Sequence, residues 1–484
     1  MKLPTRRSGT GRVRSITVIV VMTFLLFLLF SSVWTTLQDA QGAGSGTAIA
    51  EDVGEFCSAR MAMDDDGDAL IVWYQQGDTG KYDLYTRTYS DGSLGKVTSI
   101  EGLEGDSFSP CVAMNDDGMA IVVWSQRDEM LVFSVYAVIC DEGVWGEPVL
   151  LSADSEDARQ PWVAMNDEGM AMVVWEDHDE KGSGSYAIAY TGGSWGTATE
   201  LHYLENATLM ESRVVMNEDG DVAAAWYYLT TGGNYHFDIY ASFYANGSWS
   251  EAAHLEGQDV DANSPRPAID GDGNAIVVWY QGDNSGHYDI GFSSYLNSSW
   301  GEPATLDGLD GGSSVPEIDM NEDGKAVVVW VQTYDDCSVV NARTFTNGSW
   351  GATTAIEGMM GYAVRPNVSI DDDGDAFVGW YMEMEGSDSQ SIYTIKLSGG
   401  KWGNVTELDS GDMDISSIDV MLSDDGDTLV LWTQSDSSNG NSIYIDPDGA
   451  SRSISFYYWA IVASFVIIVI SISLMFTVWR RMRR

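Results

Sequence analysis

Met114-Asn115-Asp116-Asp117-Gly118-Met119-Ala120-Ile121-Val122-Val123-Trp124 is the stretch on which the fold turns. Its Asn-Asp-Asp-Gly core predicts a tight turn: short polar side chains bond local backbone, and glycine supplies positive φ. The unbroken apolar run from Ala120 to Trp124 has strand length and suits a strand buried on both faces. Seven further copies end at Trp73, Trp175, Trp226, Trp279, Trp330, Trp380 and Trp432. Successive tryptophans are 51, 51, 51, 53, 51, 50 and 52 residues apart. A period near fifty marks one supersecondary unit repeated as an array.

The rest of the second copy completes the unit. After a polar loop, Leu131 to Ile139 reads as a third strand, Gly143-Val144-Trp145-Gly146 as a second tight turn, and Glu147 to Leu151 as a fourth strand. The second turn recurs as GGSWG, NGSWS, NSSWG, NGSWG and GGKWG. Four antiparallel strands per copy predict an all-β chain, an eight-bladed β-propeller of four-stranded blades over residues 46–446. The eighth copy stops after its third strand, and Thr47-Ala48-Ile49-Ala50-Glu51 aligns with the fourth-strand segment Thr354-Ala355-Ile356-Glu357. Residues 46–51 are therefore expected to close the last blade and remove an open edge. The short turns lie on one face and the long, variable loops on the other, where a ligand is expected.

Both ends predict membrane contact. Residues 1–34 carry Lys2, Arg6, Arg7, Arg12 and Arg14 ahead of an apolar run from Ile16 to Phe30, as in a signal peptide or signal anchor. A linker, 35–45, precedes the propeller and another, 447–454, follows it. Residues 455–479 form an apolar transmembrane segment edged by Tyr457, Tyr458, Trp459 and Trp479, and the basic tail 480–484 belongs in the cytoplasm. The propeller is then extracellular on a single- or two-pass chain, with both termini cytoplasmic if the first segment is retained.

Between Glu51 and Asp448, 72 carboxylates face 14 lysines and arginines, a formal charge of −58. Such a field repels nucleic acid and leaves cations, basic partners or plain solvation. The four cysteines show no metal-binding spacing; Cys57 and Cys111 precede the first strands of neighbouring repeats, where a disulfide is conceivable. The five histidines do not cluster by motif.

The Asn115-Asp116-Asp117-Gly118 turn with Trp124 resembles the Asp-box (bacterial neuraminidase repeat, BNR) class of propeller repeats, loosely and over residues 46–446. In that class the Asp turn is structural. The resemblance raises a sialidase-like glycoside hydrolase as an alternative, with Arg60, Arg213 and Arg266 as the arginine cluster. These three share one place in their repeats, near the central channel, where the other copies have Cys111, Trp162, Glu317, Asn367 and Asp419.

Other candidates come from the residues themselves. Asp64, Asp66, Asp270, Asp272, Asp371 and Asp373 give the turns the oxygen density of a Ca2+ site, but the loops are too short for an EF-hand. No other cofactor is expected. Gln75 and Gln281 follow Tyr74 and Tyr280 beyond the main tryptophans, with Tyr227 and Tyr381 in equivalent places. Aromatics and amides at a rim are what carbohydrate recognition uses. Asn206, Asn246, Asn297, Asn347 and Asn404 are glycosylation sequons, and a sixth, Asn367, falls on an innermost strand. These features predict a membrane-anchored binding or surface-interaction module for a glycan, envelope polymer or protein. A purely structural envelope protein is the remaining alternative.

Overall fold

The computed structural model describes residues 46–447 except 52, 55–57, 78, 231–235, 258–260, 283–286, 310, 335–336, 358–360, 385–389, 411–413 and 436–439. The expected signal or anchor at 1–34, the linkers apart from Pro447, the apolar segment 455–479 and the basic tail lie outside the described residues. Among the described residues, no helix is long and apolar enough to cross a membrane.

Strands alone build this body, in antiparallel units of a propeller-like arrangement. The second unit is representative: Asp106–Met114 pairs with Ala120–Arg127, which pairs with Phe133–Asp141. Its fourth strand is broken into Val144–Trp145 and Val149–Leu150, both on the third strand. Eight such units can be traced among the described residues. The first strand of each packs against that of the next, and Asp414–Leu422 of the eighth packs against Ala59–Met63 of the first.

The eight tryptophans are all completely buried. Each is a wedge between units. Trp124 packs with Leu70, Val72 and Leu84 of the first unit, and Trp330 with Ile276, Val278 and Ile290 of the fifth. An indole buried this way still needs an acceptor for its N–H. Oε1 of the glutamine two residues on supplies it: Gln75, Gln126, Gln281, Gln332 and Gln434 accept at 2.8, 2.8, 2.7, 3.2 and 2.9 Å. The other three units carry Asp177, Tyr228 or Met382 there and lack that amide.

The first turn of each unit is capped by its leading side chain. Asn115 Oδ1 accepts from Met119 N at 2.8 Å, Asp270 Oδ1 from Asn274 N at 2.7 Å, and Asp371 Oδ1 from Asp375 N at 2.8 Å. The turn glycine follows at positive φ in every unit, from 72° at Gly324 to 85° at Gly426. These turns also interlock. Asn115 Nδ2 donates to Asp167 O at 3.1 Å, Asn166 Nδ2 to Glu218 O at 3.0 Å, and Asn217 Nδ2 to Asp270 O at 2.9 Å. The second turn residue accepts from its neighbour's backbone, as when Asp116 Oδ1 takes the Asp65 N–H at 3.1 Å and Asp424 Oδ1 that of Asp372 at 2.9 Å.

Closure joins the two chain ends of the described body. Thr47–Ala50 pairs antiparallel with Asn441–Asp446, Thr47 opposite Ile445 and Ala48 opposite Tyr444. Arg87 of the first unit clamps this strand, donating to Ile49 O at 2.8 Å and to Gly95 O at 2.9 Å. Gly46 lies flat on the Trp432 ring, where a Cβ would come within 1.9 Å of Cη2.

Two stability effects are expected. Gly46→Ala forces the closing strand off Trp432 and lowers stability by about 1–3 kcal/mol, the cost of overpacking. Gln126→Met leaves the Trp124 N–H without its amide at about 1–3 kcal/mol. Equilibrium denaturation measures both, and wild-type midpoints would refute the respective assignment.

Candidate functional site

The innermost strands converge on a central channel, and in five units a local kink aims one residue into it. In each of these a residue at positive φ precedes a proline: Ser109, Gln160, Ser264, Val315 and Arg365, at 50°, 49°, 54°, 51° and 48°. The strand register slips at this point, between Phe108 and Cys111 or Ser314 and Glu317 for example. A β-branched residue such as Val315 adopts this backbone only under strain, of about 1–3 kcal/mol. The residue after the proline then lines the channel: Cys111, Trp162, Arg266, Glu317 and Asn367. Arg60, Arg213 and Asp419 complete the ring from the remaining units. This x-Pro-z signal stands in the sequence at five places, but the expectation of a channel ring came from repeat alignment alone.

Four of the 14 basic residues between Glu51 and Asp448 line the channel: Arg60, Arg213, Arg266 and Arg365. The channel is a basic spot in an acidic molecule. Arg213 Nε donates to Glu211 Oε1 at 2.7 Å, and Arg266 donates to Glu317 Oε1 at 2.8 Å and to Glu211 Oε1 at 3.2 Å. Burial acts to raise the Glu211 carboxyl, but Arg266 and Arg213 overcome it and hold it down at about 2. Burial and then Arg266 push the Arg213 guanidinium down. Arg213 also lies over the Trp162 ring at 3.6 Å, with Arg60 at 5.4 Å.

Arg60, Arg213 and Arg266 therefore do face one cavity, but they are not a free anion clamp. Arg213 and Arg266 are compensated by Glu211 and Glu317, whereas Arg60, like Arg365, makes no ion pair within 4 Å among the described residues. Asp419, lifted to about 6 by burial with Arg60 opposing, is the acid nearest that cation in effect.

The tyrosines divide. Tyr227 and Tyr280 come together on the long-loop face in a cleft of about 590 Å³, with Met210, Phe237, Tyr288, Asn263, Ser313, Ser314 and Thr333. Tyr227 meets Phe237 at 6.0 Å and 57°, and Tyr280 meets Tyr288 at 5.8 Å and 65°. Tyr288 is 43% exposed and Met210 38%. Burial pushes the Tyr227 hydroxyl up to about 12, so it stays a neutral donor. Phe237 and Tyr288 head the third strands of their units at the register of Tyr82 and Phe133, a recurrence legible in the sequence; Met210 has no such signal.

Tyr74 belongs to a different cluster, edge-on to Tyr82 at 5.7 Å and to Phe108 at 5.5 Å. Tyr381 is not at the rim; it is buried with Phe377, Ile415 and Trp432 between two units. Gln75 and Gln281 spend their side-chain oxygens on the indoles of Trp73 and Trp279, which makes them scaffold residues and not a polar rim.

The turn aspartates do not gather round a common point. Asp64, Asp270 and Asp371 each cap their own hairpin, while Asp66, Asp272 and Asp373 are exposed at the tips. Among the described residues, the one group of three metal-capable side chains whose ligand atoms converge, within 4.8 Å, is Asp238, His254 and Glu256. His236 joins it through Asp238, so two of the five histidines meet in space. Cys111 is a buried free thiol in the channel wall, and its expected partner Cys57 lies outside the described residues. Asn206, Asn246, Asn297, Asn347 and Asn404 are all exposed, the first four at positive φ in tight turns.

Comparison with known proteins places the fold only distantly. No family model matches the chain. No curated protein matches it either. Solved structures do. The polysaccharide lyase Uly1 aligns at a TM-score of 0.45 and 10% identity, over 71% of this chain and 88% of its own. A Penicillium chrysogenum alpha-L-arabinanase complexed with arabinobiose aligns at 0.39 and 11%, over 70% and 93%. A leech intramolecular trans-sialidase aligns at 0.36 and 11%, over 83% and 70%. These likenesses are too distant to assign a role to any residue.

Several carboxyls are held protonated into the neutral range. Burial, then Asp116 and the charges of Asp424 and Asp167, raises Asp65 to about 7; burial raises Glu101, Glu176 and Glu357 to about 7. Raised carboxyl pKa values mean the folded state binds more protons than the unfolded one between about pH 4 and 7. Stability is thus expected to fall as pH rises through that window. The melting temperature should be higher at about pH 5.5 than at about pH 7.5, with added salt narrowing the gap. Below about pH 4 Glu211 works in the opposite sense. A melting temperature that climbs steadily to pH 7.5 would contradict this.

Proposed function

We propose that this chain is a carbohydrate-binding surface module, held at the membrane by residues 455–479, with its ligand in the aromatic cleft of the long-loop face. The observation that carries this reading is the convergence of Tyr227, Phe237, Tyr280 and Tyr288 in one open cavity with Asn263, Ser313 and Ser314 among them. Sugar rings offer apolar C–H faces and a hydroxyl edge. A cleft of tilted aromatic rings with a few polar groups suits both. Outward-facing Tyr288 and Met210 give an entering chain apolar surface to displace water from, and a −58 field favours neutral over polyanionic glycans.

A hydrolase reading draws no support from the arginines, because Arg213 and Arg266 are already paired with Glu211 and Glu317. A role as an envelope protein without a ligand would leave the cleft unused.

Glycan-array screening of the purified full chain tests the proposal. Binding is expected, and Tyr280→Ala or Tyr288→Ala should each weaken it about 5- to 10-fold, the value of one aromatic contact. Tyr74→Ala, in the separate cluster, should leave affinity unchanged. Retained affinity in both cleft variants, or no glycan bound at all, would sink the reading.

A further inference from the structure

The fourth unit holds a second group of functional side chains away from both the channel wall and the cleft. In several units a polar residue after the broken fourth strand caps the third strand's backbone: Ser152 Oγ accepts from Val135 N at 2.8 Å, Asp307 Oδ1 from Ile290 N at 3.2 Å, and Glu357 Oε1 from Val340 N at 3.2 Å. Glu256 Oε2 does the same for Ile239 N at 2.7 Å. Only the fourth unit, among these, adds a histidine two residues earlier. Ser152, Asp307 and Glu357 follow Leu150, Thr305 and Ala355, whereas Glu256 follows His254.

The other oxygen, Glu256 Oε1, is fully buried and accepts no hydrogen bond. It is directed at His254 Nε2, which it touches without hydrogen-bond geometry. Asp238 Oδ1 stands 3.4 Å from the same nitrogen. Two ligands held about 2.1 Å from a tetrahedral ion lie roughly 3.4 Å apart; Asp238 and His254 stand at that spacing, and the closer His254–Glu256 pair has to open to admit an ion.

Support for the three ligands is built in. His236 Nε2 lies 3.2 Å from Asp238 Oδ1, the oxygen that faces His254, and its Nδ1 lies 3.1 Å from Asp261 Oδ1, so the aspartate is held on a second side. The Tyr240 ring packs on His254 at 5.1 Å. His254 is 45% exposed on its outer side, which gives an ion access.

We propose that Asp238, His254 and Glu256 bind one divalent transition-metal ion of the Zn2+ class. One imidazole and two carboxylates suit a borderline cation better than Ca2+, which prefers six or more oxygens. Three protein ligands leave a position for water or a ligand atom. Phe237, between His236 and Asp238, faces the cleft, so the ion would brace the strand that presents this ring.

Equilibrium dialysis of the purified full chain against micromolar Zn2+, with millimolar Mg2+ to fill weak carboxylate sites, tests this. The expected result is about one Zn2+ per chain, with affinity reduced at least 10-fold in His254→Ala and unchanged in Glu357→Gln, which alters the same cap in a unit without a histidine. Co2+ should give visible absorption bands of a low-coordinate nitrogen–oxygen site, lost in His254→Ala. Circular dichroism confirms that the variant is folded, and Glu256→Gln gives an independent second lesion. No Zn2+ retained by the wild type, or equal retention by His254→Ala and Glu256→Gln, would overturn the assignment.

Discussion

A fully buried indole that needs a neighbouring unit to cover it is the constraint from which this architecture follows. Each main tryptophan fills the junction between its own unit and the one before, so the hydrophobic cores are junctions and not unit interiors. A single unit would expose its wedge to water, and a ring is the arrangement that leaves no wedge without a neighbour. The glutamine two residues on closes the account in five units by meeting the indole at the strand end. Packing and polar satisfaction thus come from one short motif, and the loops beyond it are released from structural duty.

The turns perform a parallel task at the other face. Each Asn or Asp at the head of a turn stops its own backbone from fraying, and where it is asparagine the spare amide hydrogens reach across to the next unit. The second residue presents a carboxylate to its neighbour's backbone N–H. Burial first, and the crowding of like charges after it, raises the carboxyls of Asp65, Asp167, Glu218, Glu322 and Asp372. Interlocking is obtained at the expense of repulsion, a balance set by solution conditions.

Much of the architecture was legible because it is periodic. Strand order, the double burial of the Trp-bearing strand and the channel position of Arg60, Arg213 and Arg266 all follow from aligning copies at a spacing near fifty. What does not repeat was hidden. Tyr74 and Tyr280 each stand edge-on to the aromatic heading their own third strand, Tyr82 or Tyr288, yet Tyr74 is joined by Phe108 while Tyr280 shares a cleft with Tyr227 and Phe237. Gln75 and Gln281 invited a ligand reading because their position is shared; the structure shows the sharing to be for the tryptophan. Asp238, His254 and Glu256 are separated by 16 and 2 positions, a spacing that signals nothing until a third strand and a broken fourth strand lie side by side.

The residue after each kink of an innermost strand faces the channel; Cys111 and Trp162 also pack into the junction cores, while Arg266, Glu317 and Asn367 present polar groups there. Read round the ring, the channel positions, five of them after a kink, spell Arg60, Cys111, Trp162, Arg213, Arg266, Glu317, Asn367 and Asp419. Such a channel is an eight-letter word on a fixed frame. Its chemistry can be respelled one letter at a time, while the strain that aims five of the letters stays with the backbone that bears it.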